Sequence, residues 1–356
     1  MGKFFKARWW SPRSWMAIAL FTFCILLLLS RFFSPVPSFS KNRGVDADLA
    51  FRGAVSPSLQ VDSERLWHYL THLPSERFEE RDRLMARTYI TQTLESAGWA
   101  VRQQEFTIQN GDNKQAGVNI IAEYPELSRS SSLFHELPDA AGDMPTQHTL
   151  LIGAHYDTVQ GSSGADDNGT GIAAVLELAQ LLRPDLLAHD QKSLALKFVL
   201  FDLEESGLWG SEAFVADVQE RQGIAGAIIL EMLGYTCHTL GCQTYPPLPI
   251  DPPSEIGDFL AVVGDRDHPH LVERFQSSRT SIPIYTLTIP TLGPLTPDLL
   301  RSDHVPFWRK GIGAVMVTDT ANFRNPHYHQ ASDRPEALNP GFFTEATQAI
   351  LDAIIS

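Results

Sequence analysis

The chain has 356 residues, 43% hydrophobic and 20% charged, which suits a globular body with a large core and excludes a disordered or collagen-like chain. Its net charge of −14 is lopsided: residues 1–35 hold Lys3, Lys6, Arg8, Arg13 and Arg31 and no acid, so all the acidity lies in the body. An acidic body lacks the clustered Lys and Arg that phosphates require, so no nucleic acid is expected as a partner. Three cysteines (Cys24, Cys237 and Cys242) exclude a disulfide scaffold and any cysteine-rich zinc module.

In chain order, a basic cytoplasmic segment over 1–13 precedes the 15-residue apolar run Trp15–Leu29. Continued through Phe33, with Arg31 snorkelling, the run reaches the roughly 20 residues that span a bilayer. We therefore expect a signal-anchor or transmembrane helix over 14–33, with the body held outside the cytoplasm, periplasmic or extracellular. A secreted protein cleaved near Ser38–Ser40 is the alternative. Residues 34–60, rich in Ser, Pro and Gly, read as a linker, and residues 61–356 as one catalytic domain.

Within that domain, helical periodicity predicts helices over 63–73, 79–97, 171–182 and 211–219. Apolar runs predict strands over 101–108, 117–124, 149–153, 195–203 and 226–230, with a polar insertion over 128–146, and the segments 259–263, 272–278, 284–289, 304–308, 314–318 and 342–355 continue the alternation. Alternation at this spacing predicts a three-layer α/β fold, a mostly parallel mixed sheet flanked by helices.

The chemistry-bearing residues follow these strands. Strand 149–153 runs into Ala154-His155-Tyr156-Asp157, where a carboxylate two residues on can hold the ring's second nitrogen and fix the tautomer. A glycine-rich turn then carries Asp166 and Asp167, adjacent acids that would repel without a cation or strong donors between them. Later strands end in Glu204-Glu205 and in Glu231, and His327 and His329 lie in a polar loop. Each fragment alone is a solvated loop or helix start. Together they place imidazoles and carboxylates at the carboxyl ends of strands, where open α/β sheets build sites, and such a donor set fits zinc or a similar divalent ion.

The motifs GAHYDTV, GADDNGTGIAAVLELA, FVLFDLEESGLWGS, SDHVPF and NPHYH, in this order, resemble the zinc aminopeptidase family of leucyl-type aminopeptidases, with glutamate carboxypeptidases and glutaminyl cyclases as relatives. The resemblance implies two divalent ions, zinc, sharing a carboxylate. Carried over, Asp166 would be that bridging ligand, His155 and Glu231 would complete one ion, and Glu205 and His329 the other. Glu204 would be the general base and Asp157 the partner orienting His155. The family tends to have a cis peptide at the position of Asp166-Asp167. Where this chain has Glu231 the family usually has Asp, so that ligand is one methylene longer.

Peptides with a free N-terminus are the expected substrates. A glutaminyl cyclase, a carboxypeptidase and a non-catalytic receptor-like ectodomain are the alternatives, the last opposed by the retained ligands and base. Ser302-Asp303-His304 is expected to support the site wall. Cys237 and Cys242 flank Gly241, whose freedom permits a turn bringing them within bridging range. An oxidising compartment would favour a disulfide, and a reducing one two free thiols.

Overall fold

The computed structural model describes residues 39–41, 59–110, 113–124, 149–184, 195–246, 251–290 and 297–356. The expected anchor over 14–33 and the insertion over 128–146 lie outside them; among the described residues no helix is long and apolar enough to cross a membrane.

Helix α1 (Ser63–His72) starts where the Asp62 carboxylate accepts from the amides of Glu64 and Arg65, and it buries Leu66, Tyr69 and Leu70 on one face. Helix α2 (Glu80–Ser96) ends before Gly98, whose φ of +88° is the left-handed conformation a helix stop favours. The further α-helices among the described residues are α3 (Gly171–Leu181), α4 (Trp209–Ala216), α5 (Val218–Arg221), α6 (Pro269–Glu273), α7 (His304–Arg309) and α8 (Pro340–Ile355).

The strands are β1 (Phe39–Lys41), β2 (Ala100–Asn110), β3 (Asn113–Glu123), β4 (Thr149–His155), β5 (Ala195–Phe201), β6 (Ile224–Glu231), β7 (Leu260–Asp265), β8 (Ile284–Ile289) and β9 (Ala314–Thr318). They form one sheet in the order β1-β8-β7-β9-β6-β4-β5-β3-β2. The segment read as a linker thus contributes the short edge strand β1, paired with β8.

The sheet is mixed, as expected, but not mostly parallel. Only β5, β4, β6 and β9 form a continuous parallel centre, and β7 pairs with β8 in parallel. The β2–β3 hairpin joins β5 antiparallel, and β7 runs against β9. The reversal at β7 follows the excursion after Glu231, long enough for the chain to cross β9 and re-enter in the opposite sense.

Side chains alternate across the sheet as strand geometry requires. Along β5, Leu196, Phe198 and Leu200 join the core under α1, α2, α3 and α8, while Val199 and Phe201 join that under α4 and α7. A buried acid locks the first layer: Glu177 on α3 takes Arg65 Nε and Nη2 at 2.6 Å each and the Asp62 amide at 2.9 Å. After β6, a Cys237–Cys242 disulfide, with Cα atoms 6.1 Å apart, closes a loop that pairs through Cys237 with Gly257. Strands β4, β5 and β6 therefore deliver His155, the 202–205 segment and Glu231 to one edge, the place where α/β folds put ligands.

Candidate metal centre

Strand β4 ends at His155, which is buried, with Nδ1 3.2 Å from the Asp157 carbonyl and 3.5 Å from its Oδ1. The Asp157 carboxylate accepts from the amides of Glu204 (3.0 Å) and Glu205 (3.2 Å), so this residue meets the histidine through its carbonyl and fixes the end of β5 through its side chain. The other ring nitrogen, His155 Nε2, faces Asp167 Oδ1 at 3.4 Å and Glu231 Oε1 at 3.6 Å. Opposite, His329 Nε2 lies 3.2 Å from both Asp167 Oδ2 and Glu205 Oε2. Glu204, His155 and Glu231 also offer ligand atoms lying within 4.8 Å of one another.

Asp166, expected as the shared carboxylate, is turned away. Its Oδ1 accepts from the Gly234 amide (2.9 Å) and the Thr170 hydroxyl (3.3 Å), and its Oδ2 from Asn325 Nδ2 (2.7 Å). Asp167 stands in the shared position, one oxygen toward each histidine. Neighbouring residues in the turn point to opposite sides, so one of the two acids braces the loops while the other enters the cluster. The cis peptide is likewise one residue further on than expected, at Asp167-Asn168. His327 stays outside the cluster, its Nδ1 2.9 Å from the Ser332 hydroxyl.

Several supporting residues carry no sequence signal, because their partners are distant in the chain. Asp333 accepts from the amides of Asp166 and Asp167 (2.9 and 3.1 Å). The buried Arg77 donates to the carbonyls of Tyr156 and Gly164, tying the loop before α2 to the segment after β4. Asn168 donates to the Leu230 carbonyl and accepts from the Met232 amide, fixing the end of β6. In the SDH segment, Ser302 donates to Glu231 Oε2 (2.7 Å) and the buried Asp303 accepts from Ser211, as expected of a supporting wall. His304, its Nε2 2.9 Å from the Leu299 carbonyl, is held near 4 by burial.

His155 Nε2, His329 Nε2, Asp167 Oδ2 and Glu205 Oε1 are buried with no hydrogen-bond partner. Orphaned imidazole nitrogens and carboxylate oxygens aimed at one another are what a divalent cation satisfies, so the donor set fits the metal that the resemblance implies.

Without a cation the cluster holds protons instead. Burial alone would lower His155 and His329. The carboxylates of Glu204 and Glu231 lift His155 well above the usual range, and Asp167 with Glu205 raise His329 to about 9. Burial raises Glu205 to about 7, with the Asp167 charge adding to it, and raises Glu204 despite the opposing His155 charge. Burial also raises Asp167, but the two imidazoles close beside it outweigh that and leave its carboxyl below the usual range. A cation must displace the imidazole protons, so acidification below about 9 should weaken metal binding, by up to about tenfold per pH unit for each proton displaced. Chelator competition at about pH 6 and about pH 8 measures this, and an affinity independent of pH would contradict ligation by these histidines.

Beside the cluster opens a cavity of about 420 Å³, whose apolar wall includes Ala261, Val263, Leu287, Leu299 and Met316.

The sequence model of Peptidase family M28 matches residues 136–354. An uncharacterized Escherichia coli (strain K12) protein, YfbL, is 30% identical over 294 residues, covering 78% of this chain and 81% of that protein. Leucine aminopeptidase 1 of Emericella nidulans is 30% identical over 243 residues, covering 65% of this chain and 53% of the relative; the chain thus spans about half the length of that curated aminopeptidase. Among solved structures, BSAP, a zinc aminopeptidase from Bacillus subtilis, superposes with a TM-score of 0.59 at 16% identity, covering 83% of this chain and 95% of that one, which shows a shared fold.

Proposed function

Since the chain belongs to Peptidase family M28, we propose that it is an aminopeptidase that removes N-terminal residues from peptides at a two-zinc centre. The observation that carries this reading is the placement of Asp167, one carboxylate oxygen beside His155 and the other beside His329. His155, Asp167 and Glu231 would hold one ion; Asp167, Glu205 and His329 the other. The ions supply the charge that polarises a scissile carbonyl and acidifies the attacking water. Glu204 takes the water's proton and delivers it to the departing amine. Asp157 holds His155 in one tautomer, its carbonyl accepting the Nδ1–H, with its carboxylate close by. The carboxylates around the cavity favour a substrate's α-ammonium, and its apolar wall favours an aliphatic or aromatic N-terminal side chain.

The disulfide beyond β6 supports exposure of the body to an oxidising compartment, in keeping with an export segment over 14–33. A glutaminyl cyclase working with one ion is the second reading, and the full set of five candidate ligands weighs against it.

Leucyl- and glutaminyl-peptides distinguish the two. The zinc-loaded protein should hydrolyse leucyl-p-nitroanilide, lose that activity to a chelator and regain it with zinc. Conversion of N-terminal glutamine to pyroglutamate without leucyl hydrolysis would replace the aminopeptidase by the cyclase.

A further inference from the structure

Among the described residues lining the cavity, Arg301 is the sole lysine or arginine, facing a wall that otherwise carries the acids Asp167, Glu204, Glu205, Glu231 and Asp298. Its position is fixed from both halves of the metal cluster. The next residue, Ser302, is hydrogen-bonded to Glu231, and the Arg301 Nη2 donates to the hydroxyl of Tyr328 at 2.9 Å. Tyr328 precedes His329 and stacks on its ring, with centroids 3.7 Å apart. Arg301 Nη1 donates to Asn322 Oδ1 at 3.2 Å, so the guanidinium is held as a fork rather than left to sweep through solvent. Asp298 is its nearest acid at 3.9 Å, beyond hydrogen-bond length and, like Arg301, well exposed, which leaves the cation weakly compensated. With two donors used by Asn322 and Tyr328, further N–H groups of the fork remain to meet a bidentate acceptor.

Resting on the aminopeptidase reading, we propose that Arg301 is a specificity-determining residue that receives a carboxylate on the leaving-group side of the scissile bond. The apolar wall over β7, β8 and β9 suits the N-terminal side chain, which leaves the half-exposed Arg301, on the same cavity, to meet the portion beyond the scissile bond. That carboxylate belongs either to the free C-terminus of a dipeptide or to an acidic side chain following the cleaved bond. The first source makes the protein a short-peptide enzyme, the second an enzyme of peptides with an acid in second place.

The test compares Leu-Ala, Leu-Ala-amide and Leu-Glu-amide in the zinc-loaded protein and in Arg301→Gln and Arg301→Lys. Within each variant the ratio of kcat/KM values is read, so a general loss of activity cancels. A free carboxylate should improve kcat/KM over the plain amide by about 10- to 100-fold, through KM. The ratio should collapse toward one in Arg301→Gln and be partly kept in Arg301→Lys. Preference for Leu-Ala identifies the C-terminal source, and preference for Leu-Glu-amide the side-chain source. Equal rates in the wild type, or a preference that survives Arg301→Gln, overturns the proposal.

Calorimetric binding of a reduced-bond Leu-Ala analogue, as free acid and as amide, separates this proposal from the reading beneath it. A preference for the acid that depends on Arg301, in a protein that cleaves no peptide, would retain the carboxylate site and reject the aminopeptidase. Failure to bind either form, together with no cleavage, would reject both.

Discussion

Glu204→Gln should lower turnover by about 10²–10⁴-fold while leaving the metal content unchanged. The side chain is nearly buried at the end of β5, where the Asp157 carboxylate holds its amide and Leu203 turns the chain at a positive φ of 56°. Glu205 reaches His329, whereas Glu204 is grouped with His155 and Glu231 on the other side. Glutamine keeps the shape and removes the proton acceptor. Metal analysis beside the kinetics makes the test specific, since loss of an ion would make Glu204 a ligand and unchanged turnover would remove it from the reaction.

Asp167→Ala should deplete both ions and reduce activity at least as far as the loss of the base. Its two oxygens face His155 and His329 at 3.4 and 3.2 Å, so its removal strips a carboxylate from both halves of the cluster. Asp166→Asn is the informative contrast. That residue braces Gly234, Thr170 and Asn325, and burial together with the neighbouring Asp319 raises its carboxyl well above the usual range. An uncharged amide there should keep both ions at some cost in stability. Elemental analysis of the two variants decides, and full occupancy in Asp167→Ala would dismantle the shared-carboxylate arrangement.

These two aspartates also mark how far the sequence could be read. The apolar runs locate β4, β5 and β6, and the polar residues after them, His155, Glu204, Glu205 and Glu231, converge because parallel strands end on one edge. Which of two adjacent acids enters the cluster depends on backbone dihedrals within a six-residue turn, and residue type carries no information about that choice. The alternation marked the segment of β7 but not its direction, because an antiparallel partner buried on both faces has the same apolar pattern as a parallel one. Arg77 and Asp333 were illegible for another reason. Each serves backbone groups more than 70 residues away, and nothing local separates them from surface charges. Glu177 looks like a solvated helix residue until Arg65 is seen forked onto it.

The most direct test of the central claim is a mass-spectrometric digest of one short leucine-headed peptide, offered with a free and with an acetylated N-terminus to the zinc-loaded protein. Stepwise loss of the first residue from the free peptide alone is the result expected of an aminopeptidase. Equal cleavage of the acetylated peptide, or trimming from the carboxyl end, would contradict it.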